Sequence, residues 1–250
     1  MPKLSAIIIT KNEAGNIRAC LESVQWADEI IVVDSGSSDD TVKICEGMGA
    51  RVHTTSDWPG FGMQKNRALS HATGDWVFSI DADERVTPEL QSEIESALKD
   101  PRGHDAFCMP RLSSFCGRYM HHSGWYPDLV TRLFRRDAAR FSDDLVHESV
   151  VVNGSTGELR QSLLHETFRD LEELLEKINS YSTAGARMLS EKNKTTSLKQ
   201  AIAHAAWAFI RTYFLRAGFL DGREGFMLAV STAESTYYRY AKLLLLNRKH

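Results

Sequence analysis

Cysteine and proline are scarce, with four and six among 250 residues. Cys20, Cys45, Cys108 and Cys116 contain no CxxC pair, which excludes a thioredoxin-like redox motif and a zinc ribbon. Cys108, Cys116, His121 and His122 fall close together, but their spacing fits no common zinc pattern, and loop cysteines beside surface histidines are the simpler account. Long hydrophobic runs are missing. Leu4–Thr10 is too short for a signal peptide and leads straight into charge. Charge of one sign is not in excess: the net value is −3, and no nucleic-acid footprint follows from it. Two phosphate-binding designs are also absent, because the turn after the first apolar run lacks G-x-G-x-x-G and the chain has no G-x-x-x-x-G-K-[ST]. With 42% hydrophobic and 25% charged residues and no low-complexity tract, this is a globular chain for a reducing cytoplasm. It has room for one large domain, or one domain with an appendage.

What is present is an alternation. The β-branched run Leu4–Thr10 ends in Lys11-Asn12-Glu13 and is followed by a helical pattern through Ile17, Cys20, Leu21 and Val24. Glu29–Asp34 reads as a second buried strand, ending in a small, polar loop from Ser35 to Thr41. Val42, Ile44, Cys45 and Met48 mark a helix that Gly49 stops. Residues 50–53 form a short strand, 64–71 a helix and 76–80 a fourth strand. Thr87-Pro88-Glu89-Leu90 opens another helix. Strands alternating with helices predict an α/β fold with a mostly parallel sheet, whose ligands bind beyond the carboxyl ends of the strands.

That rule sends Thr10–Glu13, Asp34–Ser38 and Asp81–Asp83 to one crevice, which predicts a nucleotide site. Lys65 and Arg67, on the helix before the fourth strand, are placed to balance phosphate charge. Asp81 and Asp83 are two residues apart at the end of an apolar strand, so an extended chain projects both to the same side. Two like charges held there invite a hard divalent cation with oxygen ligands, Mg²⁺ or Mn²⁺. Ordinary strand-end and cap chemistry is the alternative for each loop taken alone.

Taken together, Ile8–Glu13, Ile31–Thr41, Gln64–Ala68 and Ile80–Glu84 resemble the inverting family-two glycosyltransferases of the GT-A fold. That fold is a Rossmann-like, mostly parallel sheet flanked by helices. Trp125–Pro127, Arg132–Arg135, Val146–Glu148 and His165–Phe168 resemble a narrower branch that includes lipopolysaccharide core β-1,4-glucosyltransferases. The resemblance implies a UDP-sugar donor, with Thr10, Asn12, Glu13 and Ser35 around the nucleoside and Asp34 reading the uracil. It places Asp81 near ribose and metal and makes Asp83 the direct metal ligand, with His165 as a late histidine at the metal or diphosphate. A buried, satisfied histidine stays open as the alternative. An acceptor-activating carboxylate must lie later in the chain. Asp143, Asp144 and Glu148 are the candidates, Glu148 first and Asp144 second; here the chain departs from many relatives, which carry a Glu-Asp pair where it has Val-His-Glu. Pairing of Glu148 with Arg132 or Arg135 is the structural alternative.

The expected organisation is a GT-A catalytic domain over 1–168 and a C-terminal helical extension over 169–250. Leu171, Leu174, Leu175, Ile178 and Tyr181 form one amphipathic stripe. Leu198–Leu220 is apolar and aromatic but interrupted by Lys199, His204, Arg211 and Arg216, which makes it a poor membrane span and suits a helix at a membrane surface or against a second subunit. Because the acceptors of the resembled family are lipid-linked, the resemblance implies a protein peripheral on the inner face of the inner membrane that moves a hexose (glucose first) to an inner-core heptose or similar lipid-linked saccharide; the net charge implies no nucleic acid. A homo-oligomer is open. The rival functions are a nucleotidyltransferase, an Asp-x-Asp phosphatase and a surface-binding protein on an inactive fold.

Overall fold

The computed structural model of the chain describes residues 1–142 and 148–247. Strands β1 (Leu4–Thr10), β2 (Glu29–Asp34), β3 (Arg51–Thr54) and β4 (Trp76–Ser79) alternate with helices α1 (Ile17–Ser23), α2 (Thr41–Gly47) and α3 (Phe61–His71). A two-residue β5 (Glu84–Arg85) precedes α4 (Pro88–Lys99). Then follow β6 (Ala106–Phe115), β7 (Arg118–Tyr119), β8 (Asp128–Arg135), β9 (Ala139–Phe141), β10 (Val150–Val152), β11 (Thr156–Glu158) and β12 (Leu163–Phe168). Helices α5 (Leu171–Glu191), α6 (Leu198–Ile210) and α7 (Gly222–Asn247) complete the order. Thr87 caps α4 by accepting from Leu90 N at 3.2 Å, with Pro88 in the first turn, as the local pattern requires.

The main sheet runs β3-β2-β1-β4-β8-β6-β12-β5. Its first four strands are parallel. From β8 onward antiparallel pairing enters, because β6 and β8 are joined without a crossover helix. The sheet is therefore mixed, and the expected parallel character belongs to its N-terminal half. Every residue of β1 is buried. Ala6 and Ile8 join a core with Ile17, Leu21, Val32 and Phe78, while Ile7 and Ile9 join Ile31, Val33, Val77 and Phe134 on the other face. Apolar residues on both faces are the reason these strands read as unbroken hydrophobic runs. Each such side chain contributes about 1.5–3 kcal/mol on burial.

The chain divides into two compact units, Met1–Arg111 with Asp128–His165, and Leu112–Pro127 with Glu166–His250. This differs from a single boundary at 168, since 112–127 goes with the C-terminal helices. Phe115 and Met120 are fully buried against Leu174, Ile178 and Leu228, which fixes that excursion into the second unit. Trp125 packs there as well, edge-on to Phe115 and tilted against Phe168. The predicted helical stretch 198–220 is broken. After α6 come a π-helical segment, Arg211–Leu215, and a 3-10 turn, Gly218–Asp221, separated by Ala217 at φ 52°. Among the described residues no helix is long and apolar enough to cross a membrane.

Candidate functional site

The pairing of β1 with β2 puts Thr10 opposite Asp34, so the loops leaving both strands start side by side. They are stitched together. Asn12, at φ 57°, donates its N–H to Ser37 Oγ at 2.8 Å, and its Oδ1 accepts from Ser38 N at 2.8 Å. Glu13 N donates to Thr41 Oγ1, also at 2.8 Å. Asp34, only 1% exposed, accepts from Gly36 N at 3.0 Å, Ser37 N at 2.9 Å, Thr10 Oγ1 at 3.1 Å and Ser37 Oγ. Its carboxylate thus organises the loop. Ser35 is also buried and accepts from Gln64 Nε2 at 2.9 Å. The exposed rim is Lys11, Asn12, Gly36 and Ser38.

On the other side of β1 lies β4, and here the sequence expectation needs correcting. β4 ends at Ser79, and the chain turns at Asp81-Ala82-Asp83, with Glu84 N donating to Asp81 O at 2.9 Å. The two aspartates are not on an extended segment and do not share one set of partners. Asp81 Oδ1 meets Lys65 Nζ at 2.9 Å, and its Oδ2 accepts from Arg132 Nη2. Burial works to raise the Asp81 carboxyl, but the charges and hydrogen bonds of Arg132 and Lys65 outweigh it and hold the group far below the usual carboxylate range. Asp83 instead faces His165, with 3.3 Å between Oδ2 and Nε2. The register of β12 on β5 sets that meeting, because His165 pairs with Glu84.

Each side chain of Gln64-Lys65-Asn66-Arg67 on α3 has its own task. Gln64 reaches Ser35 and Thr55 Oγ1. Lys65 is 4% exposed and bridges Asp81 to Glu148 Oε1, the latter at 2.8 Å. Asn66 exchanges two hydrogen bonds with the backbone of Phe141, at 3.0 and 2.9 Å. Arg67 forms a two-pronged pair with Asp57, both contacts 2.8 Å. The backbone carries Ser142 against the start of this helix so closely that a Cβ on Gly62 would lie 1.9 Å from Ser142 O. Ser142 N in turn donates to Ser149 O at 2.9 Å. These contacts bring Glu148 to Lys65, not to Arg132 or Arg135. Asp143 and Asp144 lie outside the described residues.

Arg132 was not singled out as a site residue by its sequence. It sits on β8, is 7% exposed, and donates through Nη2 to Glu84 Oε1 at 2.6 Å as well as to Asp81. Its buried Nε has no partner among the described residues. Glu84, fully buried, also accepts from Asp81 N at 3.0 Å and from Arg111 Nη1 at 3.4 Å, and Arg111 pairs with Asp128 at 2.6 Å. The result is an alternating chain, Glu148–Lys65–Asp81–Arg132–Glu84–Arg111–Asp128, in which carboxylates outnumber cations by one. No cation in that chain lacks a carboxylate, so an arriving diphosphate needs positive charge from elsewhere.

Asp83 and His165 fit a cation. In an octahedral shell with bonds of about 2.1 Å, neighbouring ligands stand about 3 Å apart, close to the observed 3.3 Å. Among the described residues no group of three or more His, Cys, Asp or Glu gathers to hold a metal alone. One carboxylate with the remaining positions left to water and substrate phosphates is an arrangement Mg²⁺ accepts, and the imidazole nitrogen beside it suits a softer ion such as Mn²⁺ better.

Known proteins resemble this chain along most of its length. The family model described as Glycosyl transferase family 2 matches residues 5–163. The chain is 35% identical over 259 residues to an uncharacterized glycosyltransferase of Rickettsia felis, covering 97% of this chain and 90% of that protein. It is 32% identical over 264 residues to the lipopolysaccharide core biosynthesis glycosyltransferase LpsC of Rhizobium meliloti, covering 96% of this chain and 95% of that protein. Among solved structures it resembles S. aureus TarS 1-349 in complex with UDP, at TM-score 0.52 and 17% identity, covering 99% of this chain and 91% of that one. With a family match over most of its length and relatives aligned from end to end, the chain belongs to glycosyl transferase family 2 and is a glycosyltransferase of the GT-A fold.

Proposed function

We propose that this glycosyltransferase is metal-dependent and inverting, and moves glucose from UDP-glucose to a heptose of the lipopolysaccharide inner core or a similar lipid-linked saccharide. The observation that carries the metal and diphosphate part is the Asp83–His165 pair beside a charge chain whose cations are all taken by carboxylates. The name of the Rhizobium meliloti relative supports the acceptor class. UDP in the TarS complex supports the donor nucleotide. The nucleoside lies along the stitched rim of Thr10–Glu13 and Asp34–Ser38, where Asp34 acts by holding the loop. Asp83 and His165 are the residues that would hold Mg²⁺ or Mn²⁺, whose charge would offset that of the departing diphosphate.

On the acceptor side Glu148 takes the hydroxyl proton as that oxygen attacks the anomeric carbon and the bond to the diphosphate breaks. Displacement from the face opposite the leaving group inverts the centre. Lys65 holds Glu148 Oε1 and Asp81 Oδ1 on one ammonium, and so ties the acceptor-side carboxylate to the donor-side turn. Asp144 is the second candidate for the base. A position at the inner face of the inner membrane, reached through the C-terminal helices, brings the enzyme to a lipid-linked acceptor.

The test is transfer from a panel of UDP-sugars to core-truncated lipopolysaccharide with Mg²⁺ or Mn²⁺, for wild type, Asp83→Ala and Glu148→Gln. Glucose transfer by wild type, lost by at least about a hundredfold in both variants, is expected. Metal-independent transfer, or full activity of Asp83→Ala, would overturn the metal assignment. Full activity of Glu148→Gln would pass the base to Asp144.

A further inference from the structure

The hairpin of α6 and α7 ends in a tip that is firmly built yet apolar on its outside. Asp221, 1% exposed, accepts from the backbone N–H of His121 at 3.2 Å and of His122 at 3.0 Å, and from Ser123 Oγ at 3.3 Å. It also lies 3.0 Å from His122 Nδ1. Ser123 N donates to Arg216 O at 2.8 Å. Gly225 passes Gly218 so closely that a Cβ would stand 1.9 Å from the Gly218 carbonyl oxygen. A turn held this way has its backbone committed, and its outer surface is free to be polar. It is not. Phe214 is 56% exposed, Leu215 65%, Phe219 49% and Leu220 55%, and Trp207 and Ile210 extend the patch along α6. An open groove of about 530 Å³ continues between α6 and α7, lined by Ile202, Phe209, Ile210, Val230 and Tyr237.

Charge decides what covers this surface. From Ser197 to Arg223 the cations Lys199, Arg211 and Arg216 are exposed, Arg223 pairs with the next residue, Glu224, and the one carboxylate within the stretch is the buried Asp221. A symmetric dimer that sets the tip against its own copy opposes Arg211 and Arg216 to the same two cations, and the acid that lines the groove, Glu234, lies further along α7. Apolar and aromatic side chains ringed by arginines instead match the boundary between acyl chains and anionic headgroups. Because no helix of the described residues is able to cross a bilayer, such contact is limited to the interface.

We propose that the tip inserts Phe214, Leu215, Phe219 and Leu220 into the headgroup–acyl boundary of an anionic bilayer, with Arg211 and Arg216 at the phosphates. This sharpens the membrane-surface position proposed above, and vesicle binding needs no sugar transfer. Transfer to detergent-dispersed acceptor therefore judges the enzymatic reading separately.

The experiment is flotation with phosphatidylcholine vesicles, with and without one-third phosphatidylglycerol, at low and high salt. Wild type is expected to bind the anionic vesicles about tenfold better than the neutral ones and to lose that preference in high salt. Phe214→Glu with Leu215→Glu is expected to lose at least about tenfold in binding. Arg211→Glu with Arg216→Glu is expected to bind neutral and anionic vesicles alike, and a retained preference for anionic vesicles overturns the role of these arginines. All these positions are exposed, so thermal melting should match wild type. Absence of wild-type binding, or equal flotation of the Phe214/Leu215 variant, overturns the proposal. A wild-type dimer in sedimentation that dissociates in that variant assigns the patch to a second copy instead.

Discussion

Replacing Lys65 by Met removes a buried ammonium that two carboxylates share, at 2.9 Å from Asp81 and 2.8 Å from Glu148. Breaking a buried ion pair from one side costs about 3–5 kcal/mol, because the partner's charge is left uncompensated. Here the loss is smaller. Asp81 keeps Arg132, and the Asp81 and Glu148 side chains are 31% and 17% exposed, so water takes part of the load. About 2–3 kcal/mol is the expected destabilisation, and with a urea slope of about 2–3 kcal/mol per molar the midpoint falls by about 1 M. Tryptophan fluorescence during urea unfolding at neutral pH measures it. Adding Glu148→Gln to Lys65→Met should recover about 1–2 kcal/mol, since the orphaned carboxylate is gone. A midpoint for Lys65→Met within about 0.2 M of wild type, or strict additivity in the double variant, refutes the idea that the lysine is the electrostatic bridge.

Two further outcomes follow from the same site. Gly62→Ala forces a methyl group to within 1.9 Å of Ser142 O and 3.4 Å of Glu148 Cβ, so Ser142 must shift. A destabilisation of about 1–3 kcal/mol and a drop in transfer rate are expected, and a variant with native melting and native rate excludes the close approach. Acid should also weaken the fold through Asp81. Its carboxyl is held low in the folded chain, so below about pH 4 the unfolded chain binds a proton that the folded one refuses, and stability falls with falling pH. In Asp81→Asn the urea midpoint should depend less steeply on pH between about 5 and 3, and an unchanged slope counts against the assignment.

The parallel half of the fold was legible because each strand is buried on both faces and each ends in polar residues. Leu4–Thr10 and Glu29–Asp34 are the strands the residues announced. The convergence of their loops followed from parallel topology, and the Thr10–Asp34 register realises it. Local reasoning failed where long-range pairing decides. Arg132 lies 51 residues from Asp81, and only the antiparallel register of β8 on β4 brings them together. Lys65 read as a phosphate-facing lysine because nothing nearby in sequence shows that Glu148, 83 residues later, returns to it. Residues 112–127 likewise looked continuous with the catalytic half until Phe115 and Met120 found α5 and α7.

The turn at Asp81-Ala82-Asp83 has one more consequence. Ala82 is 5% exposed and belongs to the core that contains Ile80, Val86 and Leu90. The middle position of this motif is therefore not a spacer between two acids but the anchor on which both hang. One aspartate swings to the cations of α3 and β8, the other to the histidine of β12, and a small side chain pressed into the interior sets the angle between them. Under the proposed reading, selectivity for a metal and a diphosphate here would be decided partly from beneath, by the volume allowed to a residue that meets neither.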